Sequence, residues 1–313
     1  MTSWAVRRDA QESLEKLRAL GVDLDRLSRL TVITGVITNE CPLRVGKGRG
    51  ELGEPTDLPV EKLPDGRPYI PGSSLKGALR SLAERIANAM GLRTCNVFSR
   101  LSPCELAAAT IRKAIDALTR GDVEVLSRGL SDILSRAKQS GEEVVKGLAE
   151  DISGVISGLN QLEQLPEAIS SLVEKLAGLP CPVCRLFGNK ELAAHVHVLN
   201  AFPLDENVKI HFRTRVAIDR FRKAAHSGAL FDYEFVPPGH KWELHIRVYN
   251  LDFEGRDEAS RLLRSVFDYI REVGLEVGSM KSVGHGLLRL EELRCVVYRI
   301  EDFRVRREEV SLS

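Results

Sequence analysis

The sequence predicts an α+β fold whose core is a ferredoxin-like, or RRM-like, sheet. Strands are indicated by β-branched or alternating apolar residues, and helices by apolar residues three or four positions apart. The predicted elements are residues 30–38 (strand), 73–90 (helix), 193–199 and 242–249 (strands), 258–272 (helix) and 287–299 (strand). A strand, a helix, two strands, a helix and a strand in this order are typical of that sheet.

Length and composition limit the classes of protein that the chain can belong to. Its 313 residues, 43% of them hydrophobic, are enough to bury a sizeable core. Nothing resembles a signal peptide, and no apolar run approaches the roughly 20 residues of a membrane helix. We therefore expect a soluble, cytoplasmic protein with no membrane partner.

The region between the first helix and the second strand differs in composition from the rest. Residues 105–178 contain 12 acidic and 8 basic side chains, and Ile111, Ile115 and Leu118 form an apolar stripe at helical spacing. A second stripe comprises Val145, Leu148, Ile152, Ile156 and Leu159. We therefore predict three parts: residues 1–104, the first part of the core with an N-terminal arm; 105–178, an inserted helical subdomain; and 179–313, the second part of the core. The insertion is expected to contact a neighbouring subunit or to pack internally.

The long segment between the first strand and the first helix is rich in Gly and Pro, which predicts a loop over residues 41–68. Within it, Arg44, Lys47 and Arg49 alternate with glycines, a pattern that allows close approach of the backbone to phosphate. The spacing of a P-loop is absent, which argues against a nucleotide hydrolase.

The first helix begins with a tight turn at Pro71 and Gly72. Ser73 or Ser74 could cap this helix, and free backbone N–H groups at its start attract anions. Two basic side chains, Lys76 and Arg80, follow one turn apart. The pattern predicts a phosphate site, and the alternative is an ordinary capped helix with basic residues facing solvent.

A second basic segment runs from Phe212 to Tyr233. Its cations near aromatic residues include Arg213, Arg215, Arg220 and Arg222, whereas residues 209–223 contain Asp219 as their one acidic side chain. Such a mixture can neutralise phosphates while apolar side chains contact bases. The alternative is a charged, exposed hairpin over a small apolar cluster.

Four of the six cysteines form two pairs, Cys95 with Cys104 and Cys181 with Cys184. In a cytosolic chain, paired cysteines indicate a metal site more than disulfides, and four thiolates are a complete ligand set for structural zinc. His195 or His197 could replace one ligand, or the thiols could remain reduced without metal.

Several motifs resemble the RAMP superfamily, specifically the repeating backbone subunit of type III CRISPR effector complexes. They are Tyr69–Gly77 with Arg80, Arg185–Asn189, Ala217–Arg220, Leu230–Glu234 and Gly278–Gly286. The resemblance implies binding of guide RNA and target RNA, other subunits and further copies of the chain as partners, and a thumb-like hairpin at residues 212–233.

The resemblance also implies roles for two loops. The glycine-rich loop, with Lys281, Ser282 and His285, would contact the guide RNA, and we expect its glycines to leave backbone amides facing phosphates. Asp57 matches the acidic residue that active backbone subunits carry, although Glu51 and Glu54 compete for this role. Its carboxylate could accept the proton of a 2′-hydroxyl or hold a divalent cation such as Mg²⁺.

Three other functions remain open at this point. The chain could be a non-catalytic RNA-binding scaffold, or a stand-alone guide-processing endoribonuclease that uses His285 as its base. It could also be a zinc-stabilised protein-interaction module, which would bind no RNA.

Overall fold

The computed structural model of the chain describes residues 27–48, 56–96, 102–120, 123–138, 146–147, 149–150, 153 and 180–310. Residues 3–20, which we assign to the N-terminal arm, and the members of the second apolar stripe, from Val145 to Leu159, lie outside these ranges, as do Arg49, Glu51 and Glu54. Among the described helices, none is long and apolar enough to cross a membrane.

The described helices and strands follow the predicted order, with additional elements. The helices are α1 (Gly72–Ala89), α2 (Pro103–Arg120), α3 (Val123–Lys138), α4 (Pro182–Phe187) and α5 (Glu258–Glu272). The strands are β1 (Arg29–Asn39), β2 (Val196–Val198), β3 (His211–Asp219), β4 (Ala224–Phe235), β5 (Lys241–Tyr249), β6 (Leu275–Glu276), β7 (Leu287–Glu301) and β8 (Arg304–Val310). The α+β prediction is therefore confirmed, whereas β6 and β8 were not predicted.

The chain forms two compact units. We call the first the sheet unit, which comprises Arg29–Ala83, Val196–Val248 and Leu263–Ser313. The second, the helical unit, comprises Met1–Ser28, Glu84–His195 and Tyr249–Leu262.

The sheet unit contains a six-stranded sheet in the order β2-β5-β1-β7-β6, with β8 paired to β7. Strand β1 runs antiparallel to β7, with Ile33 opposite Cys295 and a bulge between Val36 and Ile37. Alternate residues of β5, from Trp242 to Val248, are buried, as expected for a strand with one face on the core.

Both main helices place apolar residues on the core of the sheet unit. Leu75 and Leu79 of α1 and Phe267 and Ile270 of α5 line the same small apolar space as Ile37, Leu244 and Leu288 of the sheet. A helix between β1 and β2 and another after β5 thus complete the β-α-β-β-α-β core. Strands β3 and β4 form a separate two-stranded hairpin inserted between β2 and β5.

In the helical unit, α2 begins with a reciprocal capping interaction. The Ser102 N–H donates to the Glu105 carboxylate, and the Glu105 N–H donates to the Ser102 hydroxyl, both at 3.2 Å. Pro103 occupies the first turn, where its missing N–H has no cost. Ile111 is buried, in agreement with the predicted stripe, and Leu130 of α3 is fully buried as well.

Candidate nucleic-acid interface and metal centre

Asp57 lies against the hairpin at the C-terminal part of β4. The next residue, Leu58, donates its N–H to the Asp232 carbonyl and accepts from the Glu234 N–H, each at 3.1 Å. The Asp57 Oδ2 atom accepts a hydrogen bond from the Asp232 N–H at 2.9 Å. The segment that carries the predicted catalytic residue is therefore bound to β4, with the Asp57 side chain exposed.

One face of the hairpin combines basic and aromatic side chains. The antiparallel register places Arg213 opposite Tyr233 and Arg215 opposite Phe231, and side chains directly opposite each other share a face. The Arg215 guanidinium lies 5.2 Å from the centroid of the Tyr233 ring, within the range of a cation–π interaction.

The opposite face of the hairpin is largely apolar and exposed. Phe212, Val216 and Leu230 are exposed on it, and the Thr214 hydroxyl donates to the Asp232 carboxylate across the strands. At the hairpin turn, the Asp219 carboxylate accepts from the N–H groups of Phe221 and Arg222 at 2.8 and 3.0 Å. The side chains of Arg220 and Arg222 are exposed at that turn.

His285 is buried, which corrects the prediction of a loop residue that faces the RNA. Only 7% of it is exposed, its Nε2 atom lies 3.3 Å from the Tyr233 hydroxyl, and its ring packs on Tyr233 and Phe235. Burial, assisted by the nearby positive charges of Arg215, Arg213 and Arg44, lowers the pKa of His285. A neutral imidazole is therefore favoured at this position.

The glycine-rich loop does not expose most of its amides, contrary to expectation. The N–H groups of Ser279, Val283, Gly284, His285 and Gly286 all donate to carbonyls of the chain. Its glycines instead permit close packing: a Cβ on Gly278 would lie 2.2 Å from the Arg44 carbonyl oxygen, and one on Gly286 would lie 2.1 Å from that of Val277. Lys281 and Ser282 are exposed.

Arg44 is also buried and is not a surface cation as predicted. It is 5% exposed, its Nη1 atom donates to the Ser279 hydroxyl at 2.6 Å, and its carbonyl accepts from the Ser279 N–H at 3.0 Å. Burial lowers the pKa of Arg44, and the nearby Glu234 charge opposes this shift. Arg44 thus holds the glycine-rich loop, whereas Lys47 on the same segment is exposed.

Glu234 is a buried acidic residue on β4 that is bonded to the segment after Asp57. Its carboxylate accepts from the Val60 N–H at 3.0 Å and pairs with Lys62 Nζ at 2.8 Å. A buried carboxylate requires such partners. The interaction ties the segment after Asp57 to β4.

The start of α1 is held by groups other than the predicted serine caps. The helix begins at Gly72, whose N–H donates to Asn200 Oδ1 at 2.9 Å, and the Pro71 carbonyl accepts from the Ser74 N–H at 3.0 Å. Ser73 and Ser74 therefore lie within the first turn. A Cβ on Gly72 would lie 2.3 Å from the Val198 carbonyl oxygen, so glycine is required by packing.

Lys76 and Arg80 are close enough to influence each other. Partial burial lowers the pKa of Lys76, and the charge of Arg80 lowers it further. Two cations that repel each other in the first turns of a helix would be stabilised by a bound anion. The phosphate site at this helix start stays a prediction.

Backbone hydrogen bonds connect the helix start to the other predicted segments. The Tyr69 N–H donates to the Glu61 carbonyl at 3.3 Å, and the Glu61 N–H donates to Val45 at 2.9 Å. Val45 follows Arg44, which contacts the glycine-rich loop through Ser279. Segments far apart in the sequence thus form one bonded network in the sheet unit.

The four predicted cysteines form one cluster in the helical unit. All four Sγ atoms lie within 4.8 Å of one another, with 3.0 Å between those of Cys95 and Cys184 and 4.0 Å between those of Cys95 and Cys181. Tetrahedral zinc with Zn–S bonds of about 2.3 Å requires sulfur atoms about 3.8 Å apart. These four thiols could hold a metal ion.

Contacts among the thiols also favour a cation. Hydrogen bonds from Cys104, Cys184 and Cys95 lower the pKa of Cys181, whereas contacts with Cys181, Cys184 and Cys95 raise the pKa of Cys104. One thiol ionises at the expense of another because adjacent thiolates repel, so four thiolates together need a positive ion.

Histidine does not belong to the thiol group found among the described residues. The Nδ1 atom of His195 lies 2.7 Å from the Tyr249 carbonyl oxygen, and His197 is exposed on β2. The alternative ligand set with a histidine is therefore not supported.

An α+β protein with a basic, partly aromatic hairpin beside an acidic loop belongs to the class that can bind nucleic acid. Comparison with family models gives the specific assignment: the model of the RAMP superfamily matches residues 36–289. The chain belongs to the RAMP superfamily, whose members are CRISPR-associated RNA-binding proteins. A search of curated proteins finds no match.

Sequence reasoning missed the importance of Asp232, Tyr233 and Glu234. The motif Leu230–Glu234 carries part of the resemblance, but the sequence alone assigns no role to it. A signal was present, because arginines and aromatic residues both alternate in the two strands, so an antiparallel pairing can place Arg213 opposite Tyr233 and Arg215 opposite Phe231.

Proposed function

We propose that the chain is a guide (CRISPR) RNA-binding backbone subunit of a type III CRISPR interference complex. The observation that carries this proposal is the docking of the Asp57 segment on the basic hairpin, through Leu58 and Asp232. An acidic group bound to one strand of a hairpin whose other strand carries arginines suits a protein that holds RNA and acts on it. Its partners would be guide RNA, target RNA, other subunits and further copies of itself, in the cytoplasm.

Basic side chains would neutralise the phosphates of the RNA. Those that we assign to this role are Lys47, Arg49, Lys76, Arg80, Arg213, Arg215, Arg220, Arg222 and Lys281, with Gly72, Ser73, Ser74 and Ser282 beside them. Phosphate contacts carry affinity without sequence preference. Base pairing between guide and target would then select the sequence.

Asp57 would cleave target RNA paired with the guide. The hairpin would displace one nucleotide, which breaks the duplex locally and allows its 2′-oxygen to align with the next phosphate. The Asp57 carboxylate could accept the 2′-hydroxyl proton or hold Mg²⁺ against that phosphate. Attack by the 2′-oxygen on that phosphate would break its bond to the 5′-oxygen of the next nucleotide, leaving a 2′,3′-cyclic phosphate on one product and a 5′-hydroxyl on the other.

One contact favours the non-catalytic scaffold as a second candidate. The Asp57 carboxylate already accepts the Asp232 N–H, a structural role that needs no chemistry. By contrast, the buried and neutral His285 gives no support to a stand-alone processing enzyme, because a general base must reach its substrate.

Two substitutions at Asp57 separate these candidates in the reconstituted complex. Asp57→Asn keeps an oxygen that can accept the Asp232 N–H but removes the negative charge, whereas Asp57→Ala removes both. If Asp57 is catalytic, both variants should lose target cleavage by at least about 100-fold while guide and target binding persist. If Asp57→Asn cleaves target RNA at the wild-type rate, the charge of Asp57 is not catalytic and the non-catalytic scaffold is the remaining candidate.

We also propose that the four cysteines bind structural zinc. The neighbouring thiols support this assignment because four thiolates fill the tetrahedral coordination of zinc and leave no open position for catalysis. Zinc would join the residues on both sides of α2 and α3, since Cys104 precedes most of them and Cys181 follows them.

A further inference from the structure

One tyrosine contacts the hairpin, the glycine-rich loop and the segment after Asp57. Tyr233 is fully buried. On one side the Arg215 guanidinium lies 5.2 Å from its ring centroid, and on another the His285 ring lies 5.7 Å away, centroid to centroid. Its hydroxyl is 3.3 Å from His285 Nε2.

The backbone around this tyrosine holds the acidic loop. Asp232, the residue before it, donates its N–H to Asp57, and Glu234, the residue after it, donates its N–H to Leu58. The backbone on either side of Tyr233 therefore holds the Asp57 loop on β4.

From these contacts we infer that Tyr233 is a positioning residue that holds Arg215 toward RNA phosphate and fixes the hairpin against the glycine-rich loop. Arg215 has several rotatable bonds, and an unsupported guanidinium would lose conformational freedom on binding. A ring beneath it reduces that cost. This inference rests on the proposed function, because it assumes that Arg215 binds RNA.

The ring and the hydroxyl have separable effects. Tyr233→Phe keeps the ring below Arg215 and removes only the hydrogen bond with His285. Tyr233→Leu removes the ring as well. We therefore expect Tyr233→Phe to bind RNA like the wild type and Tyr233→Leu to bind more weakly.

The test measures the affinity of the full chain for a fluorescein-labelled single-stranded RNA over a series of salt concentrations. The affinity decreases with salt, and in Tyr233→Leu the slope of log K against log salt should become less steep by about 0.7. This is the value expected when one phosphate of a single strand is no longer neutralised. Arg215→Ala should make the slope less steep by the same amount. In the double variant, Tyr233→Leu should add nothing, because both changes act on the same Arg215–phosphate interaction.

A buried aromatic residue elsewhere controls for general destabilisation. Trp242 is 1% exposed and donates to Asn39 Oδ1 at 3.0 Å, so Trp242→Phe should lower the melting temperature without changing the salt slope. An unchanged slope in Tyr233→Leu, with a lowered slope in Arg215→Ala, would overturn the positioning role alone. Absence of RNA binding by the wild-type chain would instead overturn the proposed function.

Discussion

The glycine-rich loop contains two glycines with similar backbone angles but different surroundings, and this allows a quantitative prediction. Gly278 and Gly284 have similar positive φ angles, +83° and +82°. A Cβ on Gly278 would lie 2.2 Å from the Arg44 carbonyl oxygen, whereas one on Gly284 would meet nothing within 4 Å. Replacement by alanine therefore measures backbone strain alone at Gly284, and strain plus a steric clash at Gly278.

The expected magnitudes follow from these contacts. An alanine in the left-handed backbone conformation lowers the free energy of unfolding by about 1–2 kcal/mol, and this is the whole loss expected for Gly284→Ala. In Gly278→Ala, the Arg44 carbonyl must also move by about 1.2 Å to reach an ordinary contact of 3.4 Å. That movement breaks its hydrogen bond with the Ser279 N–H, at about 1 kcal/mol, and strains the Arg44–Ser279 side-chain bond, worth about 1.5–3 kcal/mol.

Gly278→Ala should thus lower the free energy of unfolding by about 3.5–6 kcal/mol in total. The measurement is urea unfolding followed by circular dichroism, with Gly284→Ala as the matched control. Equal losses in the two variants would refute the reasoning, because the close approach of Gly278 to Arg44 would then contribute nothing.

Two further predictions concern the metal centre and the buried histidine. Cys104→Ser should remove zinc from the purified protein, as measured by elemental analysis. Cys295→Ser should retain zinc because Cys295 lies on β7 outside the thiol cluster. Equal zinc in the wild type and in both variants would contradict the assignment. Burial lowers the pKa of His285 from its ordinary 6.5, so the unfolded chain binds a proton more readily than the folded one. The stability that comes from burying the neutral imidazole is fully present above pH 6.5. It is lost as the pH falls through the lowered pKa of His285 in the folded protein. The melting temperature of the wild type should fall more steeply with decreasing pH over this range than that of His285→Gln. Substitution of an exposed histidine, His226→Gln, is the control. Parallel curves of melting temperature against pH for the wild type and His285→Gln would be inconsistent with a buried neutral imidazole.

Much of the fold could be predicted from the sequence because periodicity is a local property. The helix at residues 258–272 was predicted from its apolar spacing and occurs at Glu258–Glu272. The strand at residues 242–249 was predicted from alternation, and β5 spans Lys241–Tyr249. The cysteine cluster could be proposed because two close pairs of cysteines can supply the four thiolates that a structural zinc ion requires.

Other parts of the candidate site were wrong or absent in the sequence prediction. Arg44 and His285 were expected to contact RNA, yet both are buried. The amides of the glycine-rich loop were expected to face phosphates, yet five of them bond within the chain. In each case the residue type allows either role, and only its neighbours in three dimensions determine which one it takes.

The sequence by itself determined the order of the helices and strands, the basic character of the hairpin and the chemistry available at the cysteines, because these depend on residues close together in the chain. The tertiary structure decided that Leu58 pairs with β4, that Tyr233 lies between Arg215 and His285, and that Arg44 holds Ser279. These contacts join residues separated by up to 235 positions, and packing of the whole sheet unit is needed to bring them together.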